Sequence, residues 1–402
     1  MFRNLSLIVL VLALYKEVNG EGKNNPDTFL DVPAMIVYDG YPQETHIVVT
    51  EDGYALTVHR IPHGRDKGNS TGCDKAAVVL VHGLFGSSAY WLFTGVDSAL
   101  SYMLADRGYD VWMFNARGNL YSTKYTPERD PRTKEFWDFS WHESGVYDLP
   151  AVIDYILEMT GKEKIFYVGH SMGNAIFYVM MSQRPEYNDK VTAMISLAPI
   201  AYMNEERTGP LSVSIDLFDE FGTFLNVIGF TQIKPVPHVL SNIALTLCLK
   251  MPVISYFCQK LLAVFGENVK HLNPATIPVY FNHKFAGSST RGLLHYVQLL
   301  QSGCFCQYDY GESDNINHYH SSGPPCYDIS STTAPVALFY GDGDNISNEI
   351  VVTQLYEELP NVVKLYKVPL KGFEHTDFIT HKDIATLVNK PIIDIFDLYC
   401  TH

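Results

Sequence analysis

The stretch Ile165-Phe-Tyr-Val-Gly169-His170-Ser171-Met172-Gly173-Asn174 decides the fold. An apolar, β-prone run ends in G-x-S-x-G and passes directly into Ala175-Ile-Phe-Tyr-Val-Met-Met181, which reads as a helix. A strand, a tight turn and a helix in that order lift a serine onto a strained elbow and expose its hydroxyl above the sheet. Gly169 and Gly173 are needed because side chains there would strike the neighbouring strand and helix. The bare pattern is weak, and its place behind a buried-looking strand is what gives it force.

Working outward, Ala76-Ala-Val-Val-Leu-Val-His82, Tyr109-Asp-Val-Trp-Met-Phe114, Ile165 to Val168 and Val191-Thr-Ala-Met-Ile-Ser-Leu197 are apolar enough to be strands buried on both faces. Helical segments fall between them, near Val96 to Arg107, Glu143 to Met159 and Ala175 to Gln183. That alternation predicts a parallel sheet with helices on both sides. Before it, His46 to Glu51 and Ala55 to Ile61 flank Asp52-Gly53, a hairpin signal. After it, Ala334 to Tyr340 and Val362 to Val368 read as strands, and Asp383 to Leu398 as the closing helix with a break at Pro391.

Between about Met203 and Tyr327 the alternation is lost, and the chain reads as an inserted, mainly helical cap. The expected division is therefore a core of residues 21–202 and 328–402 and a cap of 203–327. Phe221 to Phe265 holds no acidic residue and only Lys234, Lys250 and Lys260 as charges. Some of this must pack on the core. The rest suits an apolar lid, with Val227, Ile228 and Phe230 as contacts.

The chain has 402 residues, 47% of them hydrophobic, so a large core is available. Met1-Phe-Arg3, the apolar run Leu5 to Tyr15 and Val18-Asn19-Gly20 form a signal peptide pattern over residues 1–20. That run is too short to span a bilayer and no later one approaches the length required. An exported protein without a transmembrane segment is expected. The formal net charge of −15 argues against nucleic acid and against steady binding to anionic membranes.

Seven cysteines in an exported chain point to disulfides with a thiol left over. Cys248 and Cys258 are ten apart and suited to closing a small loop. One of Cys304 and Cys306 is placed to reach Cys326, while Cys73 and Cys400 stand isolated. No Cys/His spacing suits zinc. Asn69-Ser-Thr71 is a glycosylation sequon in a loop-like stretch and is expected to be used. Asn345-Ile-Ser347 is expected to be largely unused.

A serine hydroxyl needs a base, and the base needs an acid to orient it. In a sheet of this kind the chain order is serine, acid, histidine. The strand ending at Tyr340 runs into Gly341-Asp342-Gly343-Asp344, where an acid belongs. The strand ending at Val368 runs into a loop with His375. Ser171, Asp344 and His375 fit both order and placement, with Asp342 and His381 as rivals that residue types alone leave open. Acyl transfer also needs donors for the developing oxyanion. The loop Val81-His-Gly-Leu-Phe-Gly86 makes the backbone amides of Leu84 and Met172 the natural pair.

With these residues in place the chain resembles the acid lipases, the gastric and lysosomal acid lipase family of the α/β-hydrolase fold, including its insect secreted members. The resemblance runs through Ile36-Val-Tyr-Asp-Gly-Tyr-Pro42, Val49-Thr-Glu-Asp-Gly-Tyr54, Arg60-Ile-Pro62 and His82-Gly-Leu84. It continues through Asn115-Ala-Arg-Gly-Asn119, Phe136-Trp-Asp-Phe-Ser-Trp-His-Glu143 and Tyr147-Asp-Leu-Pro-Ala151. Gly169-His-Ser-Met-Gly173, Leu197-Ala-Pro199 and Gln307-Tyr-Asp-Tyr-Gly311 complete it. It implies Ser171 as nucleophile, Asp344 as acid and His375 as base. Met172 stands where the family commonly has Gln, and only its amide is required.

The family's cap disulfide maps onto Cys248 and Cys258, with one extra residue between them. The resemblance implies hydrolysis of triacylglycerols or related neutral lipids at a lipid surface, without metal or organic cofactor, by a monomer that is secreted or lysosomal. It also implies an acidic working pH. The rival readings are a carboxylesterase or steryl-ester hydrolase on the same scaffold, and a non-catalytic lipid carrier. Arg117 and Trp141 are assigned structural roles.

Overall fold

The computed structural model describes residues 25–65, 75–203, 230–250, 258, 266 and 269–400. The proposed leader, Asn69, Val227 and Ile228 lie outside these residues. Eight strands form one sheet: β1 (Glu44–Val49), β2 (Ala55–Ile61), β3 (Ala77–Val81), β4 (Asp110–Met113), β5 (Ile165–His170), β6 (Val191–Leu197), β9 (Val336–Tyr340) and β10 (Val362–Lys367). A separate short pair, β7 (Gln232–Ile233) and β8 (Ser288–Ser289), lies in the inserted region.

The spatial order β1-β2-β4-β3-β5-β6-β9-β10 is parallel from β4 to β10, with β1 and β2 antiparallel at one edge. The apolar runs read from the sequence are the central strands. β3, β4 and β5 are buried along their whole length, as strands covered on both faces must be. Two hydrophobic cores, one on each side, sandwich the sheet. β10 is the far edge and is mostly solvent-facing.

Helix boundaries differ from the sequence reading in ways the backbone explains. The helix expected from Val96 begins at Leu100, because Gly95 takes φ 78° and its carbonyl caps Ser98 and Ala99 in a turn. The segment from Glu143 is not one regular helix. A π-helical turn, Ser144–Asp148, precedes the α-helix Leu149–Thr160, which carries Pro150 in its first turn.

The closing helix repeats this device, with a π-turn Ala385–Asn389 before Lys390–Cys400. Pro391 therefore sits at a helix start, where its missing N–H costs little, and it does not end the helix. The Leu387 carbonyl that Pro391 has no N–H to serve accepts the Tyr366 hydroxyl at 2.9 Å.

The described part of 203–327 is mainly helical, with helices His238–Lys250, Ile277–His283, Thr290–Ser302 and Glu312–Tyr319. Cys248 and Cys258 are bridged. Cys306, not Cys304, pairs with Cys326, and Cys304 remains a free, exposed thiol. Cys400, isolated in the sequence, is disulfide-bonded.

Arg117 is the main buried charge of the core. Its guanidinium grips Asp148 at 2.6 and 3.0 Å and Asp52 at 2.7 and 2.9 Å, and lies 4.0 Å over the Tyr54 ring. Trp141 stacks on His295 with ring centroids 3.8 Å apart. Among the described residues no helix is long and apolar enough to cross a membrane.

Candidate active site

Ser171 stands at the junction of β5 and the helix Met172–Gln183, with φ 55° and ψ −114°. A non-glycine residue rarely holds that conformation, and it persists because the surroundings over-determine it. A Cβ on Gly169 would lie 2.6 Å from Asn174 Oδ1, and one on Gly173 would lie 2.4 Å from the Val81 carbonyl oxygen. Both glycines are sterically required, as the sequence predicts. The Ser171 amide donates to the Leu197 carbonyl at 3.1 Å, and Asn174 Nδ2 donates to the same carbonyl at 2.7 Å.

The structure brings Ser171, His375 and Asp344 into one hydrogen-bonded chain. Ser171 Oγ lies 2.8 Å from His375 Nε2, and His375 Nδ1 lies 2.8 Å from Asp344 Oδ2. All three residues are buried. Asp344 Oδ1 accepts the amides of Ile346 and Ser347, each at 2.8 Å.

Burial pushes the Asp344 carboxyl up, but the His375 charge, its hydrogen bond and the two amides together hold it below its ordinary value. The carboxylate is thus kept ionised facing the imidazole. Asp342 does not join: it is exposed, and its Oδ1 accepts the Gly372 amide at 2.6 Å. His381 is also set apart, with Nδ1 accepting the Asp383 amide at 3.0 Å.

Backbone packing explains how distant segments meet. The Gly343 amide donates to the Phe373 carbonyl at 3.1 Å, and a Cβ on Gly343 would come within 2.6 Å of the Gly372 carbonyl carbon. The acid loop and the histidine loop therefore lie main chain against main chain.

The Leu84 loop adjoins the serine, since a Cβ on Gly83 would sit 3.2 Å from Ser171 Cβ. Its shape is fixed by buried His82, whose Nδ1–H donates to the Gly83 carbonyl at 2.8 Å while Nε2 accepts the Ala116 amide at 3.1 Å. Burial pushes the His82 imidazole down to about 4, so it stays neutral in this bridging role. Met172 opens its helix, where the first amides have no intrahelical acceptor.

Asn345 is exposed beside buried Asp344. Ser347, the third residue of its sequon, is buried. Among the described residues no group of three or more His, Cys, Asp or Glu side chains is arranged to hold a metal ion.

The sequence reading assigned nothing to His170 or Asp377. His170 was visible within the serine motif, but its partner was not. Asp377 carried no local signal.

Residues 76–382 match the α/β-hydrolase fold family, and residues 32–95 match a partial α/β-hydrolase lipase region. The chain is 37% identical to Lipase 1 of Drosophila melanogaster over 92% of its length and 80% of that protein's. It is 36% identical to gastric triacylglycerol lipase of Rattus norvegicus, covering 97% of this chain and 98% of that one. A solved structure of a putative lipase from Sulfolobus solfataricus superposes with a TM-score of 0.54 at 16% identity, covering 88% of this chain and 99% of that one. That likeness is one of fold. The chain belongs to the acid lipase family of the α/β-hydrolase fold and is a carboxylic ester hydrolase.

Proposed function

We propose that this protein is a secreted serine lipase that hydrolyses triacylglycerols or related neutral acyl esters through an acyl-enzyme. The observation that carries the reading is the continuous chain from Ser171 Oγ through His375 to Asp344, with both hydrogen bonds at 2.8 Å. Ser171 Oγ attacks the acyl carbonyl as His375 Nε2 takes its proton. Asp344 orients the ring and offsets the imidazolium charge. The amides of Leu84 and Met172 face the tetrahedral oxyanion. His375 then protonates the departing alcohol, and water repeats the sequence to free the fatty acid.

The region 203–327 acts as cap and lid over the core of residues 21–202 and 328–402. Export is supported by the leader pattern of residues 1–20 and by the disulfides Cys248–Cys258 and Cys306–Cys326, which suit an oxidising compartment.

The test is fatty acid release from emulsified triacylglycerol, run beside covalent labelling with an organophosphate. Wild-type protein should release fatty acid and take up one label at Ser171, and Ser171→Ala should do neither. Release by the Ala variant at the wild-type rate would end the proposal.

A further inference from the structure

The loop that carries His375 is held from outside the core. Thr376 donates twice to the Gly266 carbonyl, from its amide at 3.1 Å and from Oγ1 at 3.0 Å. His271 Nδ1 lies 2.7 Å from Asp377 Oδ2, and that same oxygen accepts the Glu374 amide at 2.7 Å. The Lys382 amide donates to the His271 carbonyl at 3.0 Å, and Leu272 forms an antiparallel bridge with His381. Gly266 itself has φ +65°, and a Cβ there would lie 2.5 Å from His375 Cβ. A side chain at 266 would therefore push directly on the histidine.

Gly266 and His271 are more than 100 residues from His375 in the chain, and both belong to the inserted region. None of these hydrogen bonds involves Ser171. Asp377 is buried, and its carboxylate closes the turn 374–377 onto itself while binding the inserted region through His271. Burial raises the Asp377 carboxyl to about 6, against the pull of the Glu374 amide and His271. An ion-paired or hydrogen-bonded carboxyl in such a place ties two elements together in a way that an exposed pair would not.

We propose that Gly266 and His271 are positioning residues for His375, so that the inserted region, when seated on the core, sets the geometry of proton transfer from Ser171. The inference rests on the serine-hydrolase reading above and adds to it a physical coupling between cap and base. Proton transfer needs heavy-atom contacts of about 2.6–3.2 Å. A displacement of about 1 Å in such a group costs roughly 10²-fold in rate. Loosening the clamp should therefore lower turnover while leaving substrate binding alone.

The test compares wild type, His271→Leu, His271→Asn and Thr376→Val on a dissolved short-chain ester. Rates are expressed per active site titrated with organophosphate, and thermal midpoints are recorded alongside. His271→Leu should lower kcat by about 10- to 100-fold with KM within about twofold. His271→Asn keeps an N–H close to the Nδ1 position and should recover most of that loss. Thr376→Val, nearly isosteric, should show a several-fold fall in kcat.

A merely structural role would lower the thermal midpoint and the number of titrated sites but leave kcat per site unchanged. That result in both His271→Leu and Thr376→Val overturns the proposal. A wild-type protein that neither hydrolyses the ester nor takes up the label overturns the hydrolase reading and this inference together. An active wild type with unaltered variants overturns this inference only.

Discussion

His170 Nε2 donates to the backbone carbonyl of His375 at 3.0 Å, so the residue before Ser171 holds the main chain of the residue that faces Ser171. The two rings lie 5.2 Å apart. Burial, reinforced by the His375 charge, pushes the His170 imidazole down to about 3. It therefore stays neutral and keeps its Nε2–H donor when His375 becomes charged. His170→Leu should lower kcat about tenfold with little change in KM, whereas His170→Gln, which still presents a donor, should retain most activity. Steady-state kinetics on a soluble ester reads this directly, and equal losses in both variants would contradict the positioning role.

Asp344→Asn should cripple turnover by on the order of 10⁴-fold, because the amide stabilises the wrong imidazole tautomer. Asp342→Asn should cost far less, since Asp342 only receives the Gly372 amide. A larger loss at position 342 than at 344 would move the acid assignment. Ser171→Ala sets the floor and should fold normally, as judged by circular dichroism.

Arg117→Met leaves Asp148 fully buried and without its partner. Removing one member of a buried ion pair costs about 3–5 kcal/mol. Denaturant unfolding should show a loss of that order at neutral pH. A variant as stable as wild type would mean that Asp148 finds another donor or is protonated at small cost.

Stability should fall as pH drops below about 6.5. Burial depresses His59, His82 and His283 to about 4 and His170 and His295 to about 3. Each is neutral in the fold and takes up a proton on unfolding below about 6.5, so its contribution is intact above that value and is lost toward the folded one. Asp27 and Asp377, raised to about 6, act in the opposite sense between about 4 and 6. His142 and His381 are also depressed, and Asp39 and Asp148 also raised. Seven imidazoles therefore oppose four carboxyls, and the net slope is a loss of up to about 1.4 kcal/mol per pH unit for each unbalanced histidine. Thermal midpoints from pH 7 to 4.5 should fall, and less steeply in His295→Gln. A flat profile would refute the assignment of these histidines as buried and neutral.

Phe230 is 45% exposed, and its carbonyl is tied to Thr290 Oγ1 at 2.9 Å. An aromatic exposed to this extent is free to meet an apolar surface, and substitution tests whether it does. Replacing Ile228 and Phe230 with serine should reduce activity on emulsions much more than on a dissolved short-chain ester. Equal loss on both substrates would mean that these residues support the fold.

The sequence by itself determined what local sterics and periodicity control. Gly169 and Gly173 are four residues apart, and the clashes that forbid side chains there involve Asn174, Gly173 and the adjoining strand at Val81. The buried strands, the hairpin at Asp52-Gly53 and the order of serine, acid and histidine were legible for the same reason. A strand covered on both faces must be apolar throughout, and a parallel sheet presents its loops at one end.

Tertiary structure decided every choice between near neighbours. Asp342 and Asp344 are equally acidic in sequence, and only the packing of Gly343 against Gly372 and Phe373 turns one to Gly372 and the other to His375. Cys306 rather than Cys304 reaches Cys326 because 306 and 326 form a bridge across two paired segments. Pro391 reads as a break, yet Tyr366 from an edge strand satisfies the carbonyl that the proline leaves open. His170 lies in the serine motif without a visible partner, and His271 and Asp377 give no signal, because His170–His375 and His271–Asp377 are pairs that only tertiary packing brings together. Such contacts depend on where distant segments dock, which the spacing of residues along one segment does not contain.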